Sequence, residues 1–159
     1  LSRCYLDTNF VYAHLRSKRR GALGPVEAWR ARVLGQMDSG GGVISGLVLD
    51  ELAYRLILAW LRDDGDSDPL STYRANAGSA MRAVRRRLTA AWRAVDSLPL
   101  ELQPTEHAVV DKAKALMAQP GLAPRDAFHA AHALEAGCGL IASSDADFDR
   151  VPGLRLLAP

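Results

Sequence analysis

Five short apolar segments interrupt this chain, and between them lie stretches with helical spacing. Few features restrict a fold more. The segments are "CYLD", "GVIS", "LPLELQP", "CGLIAS" and "LRLLAP", each of strand length and each bounded by turn or polar residues. After the first, "FVYAHL" starts a helix that gives way to a basic loop, "RSKRRGALG". Pro25 suits the first turn of a helix that runs through "VEAWRARVLGQM" until "DSGGG" stops it. Ser45 can cap the strongly apolar "GLVLDELAYRLILAWL". Residues 71–95 read as one long helix. On it Val84, Leu88, Ala91 and Val95 fall within about 60° of one another, with Arg82, Arg86 and Arg93 on the far side. Thr105 is placed to cap "EHAVVDKAKALMA", and Gly137 to close "RDAFHAAHALEA" at its C′ position. Strands alternating with helices predict an α/β fold with a mainly parallel sheet, in a single domain over residues 1–159.

In such sheets, sites form at the carboxyl ends of strands. Asp7 ends the first strand and Asp145 directly follows the fourth. Two more acids stand on helices. Glu51 sits among Leu47, Val48, Leu49, Leu52, Leu56, Ile57 and Leu58, where a carboxylate is costly unless paired or metal-bound. Asp126 lies in a first helical turn, off the stripe made by Ala127, Ala131 and Leu134. Each alone has a plain structural explanation. Asp7 can be a helix cap, Glu51 an i,i+4 partner of Arg55, Asp126 a complement to a helix dipole, and Asp145 a turn residue. All four together are harder to explain that way.

The order of these acids and their contexts, "YLDTN", "ISGLVLDEL", "APRDAFHAAHAL" and "IASSDADFDRVPGLRLL", resembles the PIN-domain nucleases, in particular the VapC-type toxins of bacterial toxin–antitoxin pairs. The resemblance covers essentially the whole chain, and its first and last motifs are the most specific. Residues 61–95 look longer than in compact members. The resemblance implies a three-layer α/β/α fold with strand order 3-2-1-4-5. It also implies an acidic quartet of Asp7, Glu51, Asp126 and Asp145, with Asn9 and Ser45 as supporting polar residues. Asp147 then touches the metal site, directly or through water, and Asp149 is a surface acid or local cap. A small antitoxin and a homodimer are implied as partners.

Four converging carboxylates repel one another and an RNA phosphate, and a divalent cation resolves both problems. Oxygen-only ligands point to one or two Mg²⁺ or Mn²⁺ ions. Metal-activated water can then attack a phosphodiester in line. The implied activity is a metal-dependent endoribonuclease. The alternatives are an RNA-processing nuclease of the same fold without an antitoxin, or a non-catalytic module that binds RNA or protein. A phosphatase of the haloacid-dehalogenase type also begins with an Asp after strand one. It needs a second Asp two residues later, where this chain has Asn9.

The net charge of +2 does not announce a nucleic-acid binder, but 17 of the 20 basic residues are arginine, whose fork suits phosphate oxygens. Candidate substrate contacts are Arg16, Lys18, Arg19 and Arg20 after the first strand, and Arg82, Arg86 and Arg93 on the long helix. His129 and His132 follow Asp126 at i+3 and i+6. His132 is about 120° around the helix from Asp126, so all three cannot easily hold one ion. Structural or surface roles are expected for both, with His129 a neighbour of the site at most. "DDGDSDP" has Pro69 where a calcium loop taken from Asp64 needs Gly, and reads as a solvated turn. No apolar run approaches a membrane span, no signal segment opens the chain, and Cys4 and Cys138 lack metal or disulfide spacing. A cytoplasmic setting is expected.

Overall fold

A computed structural model describes residues 2–17 and 24–159. Lys18, Arg19 and Arg20 of the basic loop lie outside the described residues. The elements run β1 (Arg3–Leu6), α1 (Thr8–Ser17), α2 (Pro25–Gly40), β2 (Gly42–Ser45), α3 (Gly46–Asp63), α4 (Pro69–Ala75), α5 (Ala77–Asp96), β3 (Leu100–Gln103), α6 (His107–Ala118), α7 (Pro124–Glu135), β4 (Cys138–Ala142) and β5 (Arg155–Leu157). A short 3-10 turn spans Ala146–Arg150. The five strands form one sheet in the order β3-β2-β1-β4-β5, and every pairing is parallel. The sheet is therefore fully, not just mainly, parallel.

The strand order follows from burial. β1 is the central strand, and Cys4, Tyr5 and Leu6 are all completely buried, as are Ile141 and Ala142 on the neighbouring β4. A strand covered on both faces reads as a continuous apolar run, which is what "CYL" and "LIA" are. β2 and β4 lie on opposite sides of β1, so right-handed crossovers put their helices on opposite faces. On one face α2 packs on β1 and α1, while α3 packs on α1 and α5. On the other α7 crosses β1, β2 and β4 with α6 against it. The point where the order reverses, beside the carboxyl ends of β1 and β4, is where this architecture opens a cleft.

Several local expectations need correction. Residues 71–95 are not one helix. Asn76 adopts φ −156° and ψ 83°, ending α4, and its Oδ1 accepts from Ser79 N at 2.9 Å to cap α5. An Asn side chain competes with the helical backbone for such a donor, so it breaks the run that the apolar stripe alone predicts. The stripe itself is buried as Ala80, Val84, Leu88, Ala91 and Val95. Helix α2 runs past Met37 to Gly40, and Gly41 turns the chain with φ +86°. Ser45 and Thr105 do not cap with their side chains. The hydroxyl of Ser45 goes to Tyr5, and that of Thr105 to His132. Residues 64–68 form a turn in which Asp66 accepts from Asp68 N and Asp68 caps α4. Asn76→Ala is expected to cost about 1 kcal/mol, read as a lower urea midpoint at unchanged slope.

Candidate metal centre

The chain leaves β1 at Asp7, whose backbone N–H still bonds to Ala142 O on β4. Its carbonyl then receives Phe10 N and Val11 N, so Asp7 does head helix α1. Its carboxylate is buried, and donors surround it. Oδ1 accepts from Thr8 N at 2.7 Å, and Oδ2 from Asn9 Nδ2 at 3.0 Å and Ser143 Oγ at 2.6 Å. Asp7 therefore heads α1 through its backbone carbonyl, while its side chain is left to Thr8 N, Asn9 and Ser143. Asn9 is a donor to Asp7, which makes it a support and not a second acid.

Ser143 links the ends of the two strands. While donating to Asp7 it accepts from Asp145 N at 3.0 Å, and Asp145 in turn caps the following 3-10 turn through Asp147 N at 2.9 Å. The Asp147 carboxylate is half-exposed and pairs with Arg150 Nη2 at 3.2 Å. Asp149 is exposed, in keeping with a surface acid.

Glu51 enters from the first turns of α3. The expected pair with Arg55 is not formed. Arg55 donates to Asn9 Oδ1 at 2.6 Å and lies over the Tyr12 ring, because α1 packs directly against α3. Glu51 instead accepts at Oε2 from Thr8 Oγ1 at 2.7 Å, lies 3.0 Å from His129 Nε2, and meets Arg125 Nη1 at Oε1, 3.2 Å away. Burial alone would raise its pKa. The hydrogen bonds from His129 and Thr8, with the charges of His129 and Arg125, outweigh that and hold it below the usual glutamate range.

Asp126 has no hydrogen-bond donor among the described residues. Burial pushes its carboxyl up, and the charge of Asp145 pushes the same way. His129 opposes them, while Asp7 and Asp147 add to the rise.

His129 corrects the sequence reading most. It is buried at 2% exposure and stands between the acids, with Nε2 3.0 Å from Glu51 and 3.6 Å from Asp7 Oδ1. Its Nδ1 meets the Tyr5 hydroxyl at 3.1 Å. The i+3 spacing from Asp126 was the only sequence signal for it. His132 points elsewhere, to Thr105, and burial drives its pKa down to about 4, with His129 adding to the fall. Thr8, Ser143 and Tyr5 were also not selected from sequence. Each is a short polar or phenolic side chain whose partner arrives from a distant segment.

Among the described residues, the predicted arginines do not gather here. Arg16 forms a two-bond pair with Asp63, which is twelve residues, or about 18 Å of helix, beyond Glu51. Arg82, Arg86 and Arg93 are exposed on α5, opposite its buried stripe. Two other arginines come near: Arg125 pairs with Glu51, and Arg55 donates to Asn9, which in turn donates to Asp7. Both arginines line a groove of about 740 Å³ that starts at Asn9 and Glu51 and passes Tyr54 and Tyr73. The rings of Tyr54 and Tyr73 pack edge to face with centroids 5.5 Å apart.

One ligand atom each from Asp7, Glu51 and His129 lies within 4.8 Å of the others. The carboxylate oxygens of Asp7 and Glu51 are donors of the kind a divalent cation takes, and His129 stands beside them. Among the described residues no helix is long and apolar enough to cross a membrane.

Comparison with known proteins agrees with this fold. A family model described as the PIN domain matches residues 4–154. The fold is similar to that of VapBC2 from Rickettsia felis, solved bound to a DNA fragment from their promoter. Identity is 17%, with 97% of this chain and 96% of that chain covered at a TM-score of 0.61. It is also similar to VapC20 of Mycobacterium tuberculosis, described as a toxin that cleaves the sarcin-ricin loop. Identity is 15%, with 92% of both chains covered at a TM-score of 0.54. At these identities the likeness is one of fold. No curated protein matches the sequence.

Proposed function

The chain belongs to the PIN-domain family, and from that premise we propose that it is a VapC-type toxin, an endoribonuclease dependent on Mg²⁺ or Mn²⁺. The observation that supports this reading is the cluster of Asp7, Glu51 and His129 at the switch point of the sheet, their ligand atoms within 4.8 Å of one another, with Asp145 joined to Asp7 through Ser143. Asp7, Glu51, Asp126 and Asp145 are proposed to hold one or two ions, with Asp147 contributing directly or through water. Once bound, the ion supplies positive charge at the scissile phosphate and lowers the pKa of an attacking water.

The chain's own groups do the rest. Asn9, Ser143 and the Thr8 N–H fix both oxygens of Asp7, and the Thr8 hydroxyl fixes Glu51. Asp7 and Glu51 therefore need little reorganisation to act, which favours the transition state over the ground state. Arg55 and Arg125 are placed to bind backbone phosphates along the groove, and Tyr54 and Tyr73 to stack against unpaired bases. Ser45 supports the centre from behind, through Tyr5. Two expectations of the family resemblance belong to the same proposal. One is a small antitoxin that covers the groove, and the other is a homodimer acting in the cytoplasm.

The test is cleavage of tRNA and rRNA fragments by purified protein with Mg²⁺ or Mn²⁺, against a chelator control. Metal-dependent cuts within the RNA support the reading, and intact RNA at all metal concentrations overturns it. Arg55→Ala and Arg125→Ala are each expected to raise KM for RNA with a smaller effect on kcat. Each should also flatten the dependence of binding on log salt by about one unit, the signature of a lost phosphate contact. Equal slopes in wild type and variants would remove both arginines from the RNA path.

A further inference from the structure

Behind the acids runs a buried chain of polar side chains that the proposed chemistry does not by itself require. Ser45 Oγ lies 2.7 Å from the Tyr5 hydroxyl, Tyr5 lies 3.1 Å from His129 Nδ1, and His129 Nε2 lies 3.0 Å from Glu51 Oε2. Ser45 and Tyr5 have no exposure at all, and His129 has 2%. The price of this arrangement shows in α3. Ser45 occupies the cap position of that helix, yet its hydroxyl makes no cap bond and turns to Tyr5 instead.

We propose that His129 is the positioning residue of the centre: it holds Glu51 through an Nε2–H, and Tyr5 and Ser45 fix the ring in that tautomer. This rests on the nuclease reading above. The donor directions follow from one fact, that an ionised carboxylate only accepts hydrogen bonds. Facing Glu51 Oε2, His129 must carry its hydrogen on Nε2. In the Nε2–H tautomer Nδ1 is an acceptor, so the Tyr5 hydroxyl donates to it. The phenolic oxygen in turn accepts from the Ser45 hydroxyl. Each donor in the series therefore points toward one oxygen, Glu51 Oε2, which also accepts from Thr8 Oγ1. With Oε2 held from two sides, Glu51 presents Oε1 to the groove, where Arg125 meets it. A ligand-holding carboxylate supported in this way loses metal affinity or activity by about ten- to a hundredfold when its support is removed.

The alternative arrangement, with His129 Nε2 bound directly to the ion, requires the opposite polarity. Nδ1 would carry the hydrogen and Tyr5 would accept it. The two arrangements differ in one measurable property, the position of a single hydrogen.

The experiment uses the full chain labelled with ¹⁵N-histidine, with the His129 signals assigned by their loss in His129→Gln. Expected is an Nε2–H tautomer that persists when Mg²⁺ is added. Tyr5→Phe should release the tautomer preference, weaken Mn²⁺ binding by calorimetry about tenfold or more, and lower kcat for RNA by a similar factor with KM within about twofold. His129→Gln, which keeps an N–H in reach of Glu51, should retain more Mn²⁺ affinity and kcat than His129→Leu. Far-ultraviolet circular dichroism confirms that each variant is folded. An Nδ1–H tautomer, or ¹⁵N hyperfine coupling between bound Mn²⁺ and His129, overturns the proposal in favour of direct ligation, and a ring carrying hydrogen on both nitrogens overturns the Tyr5-fixed tautomer. Folded Tyr5→Phe and His129→Leu proteins with wild-type Mn²⁺ affinity and kcat overturn it while leaving the nuclease reading intact. A wild-type protein that neither binds Mn²⁺ nor cleaves RNA overturns both.

Discussion

Protein carrying Asp7→Asn is expected to lose RNA cleavage by about a thousandfold, equivalent to about 4 kcal/mol of transition-state stabilisation, while remaining folded. Asp7 is the most buried of the four acids and has three donors on its carboxylate, so the substitution also tests how specific that enclosure is. An asparagine oxygen can still accept from Thr8 N, but its amide then faces the amide of Asn9 and the hydroxyl of Ser143. Ser143 can turn its hydrogen away. Asn9 cannot easily reverse, because its Oδ1 already accepts from Arg55. One mismatched donor costs about 1 kcal/mol. Removing a negative charge near Asp126 and Asp145 returns part of that loss. Thermal melting should therefore shift by only a few degrees while the rate collapses. Retained cleavage in a folded Asp7→Asn protein would remove the acid from the chemistry. A large fall in melting temperature would instead assign it a mainly structural role.

Phe148→Ala should be the most damaging single truncation near the site. Phe148 is completely buried and is the only apolar anchor of the 3-10 turn Ala146–Arg150 other than Ala146 itself. Losing a buried phenyl ring costs about 3–5 kcal/mol, or a fall in Tm of roughly 10 °C for a chain of this size. The turn carries Asp147, and Asp145 caps it. Loosening it should therefore weaken Mn²⁺ binding as well as stability. Val84→Ala provides the control. Val84 is equally buried but lies on α5, so it should lower stability without changing the affinity of the folded protein for Mn²⁺. If both variants bind Mn²⁺ alike, the turn does not position the acids.

What was readable from the sequence follows the range of the interactions involved. β1 and β4 are apolar because they are covered on both faces, and each is followed within three residues by an acid. Asp7 and Asp145 were therefore legible from a few neighbouring residues. Glu51 was legible because a carboxylate among leucines is anomalous wherever it occurs. Its partner was not. The local rule pairs it with Arg55 at i,i+4, but α1 brings Asn9 and Tyr12 to Arg55, leaving Glu51 to Thr8, Arg125 and His129. His129 was undervalued for the same reason. On its own helix it looks like any polar residue, and its meaning comes from Tyr5 and Glu51, both more than seventy positions away. The single helix over 71–95 failed on a local signal, an asparagine followed three residues later by a serine, which the longer apolar stripe concealed.

The strand order also governs when the centre can exist. β1 is made first, yet it pairs with β4, so Tyr5 waits for Ile141 and Asp7 for Ser143. Such distant pairings form late, after the intervening chain has been ordered. During synthesis from the N-terminus, β2 and β3 can join β1 while its other edge stays open. Until β4 emerges, the nascent chain holds Asp7 without Asp145, and His129 without a finished sheet to rest on. Assembly of the centre thus waits for β4, and no fragment ending before Cys138 contains it.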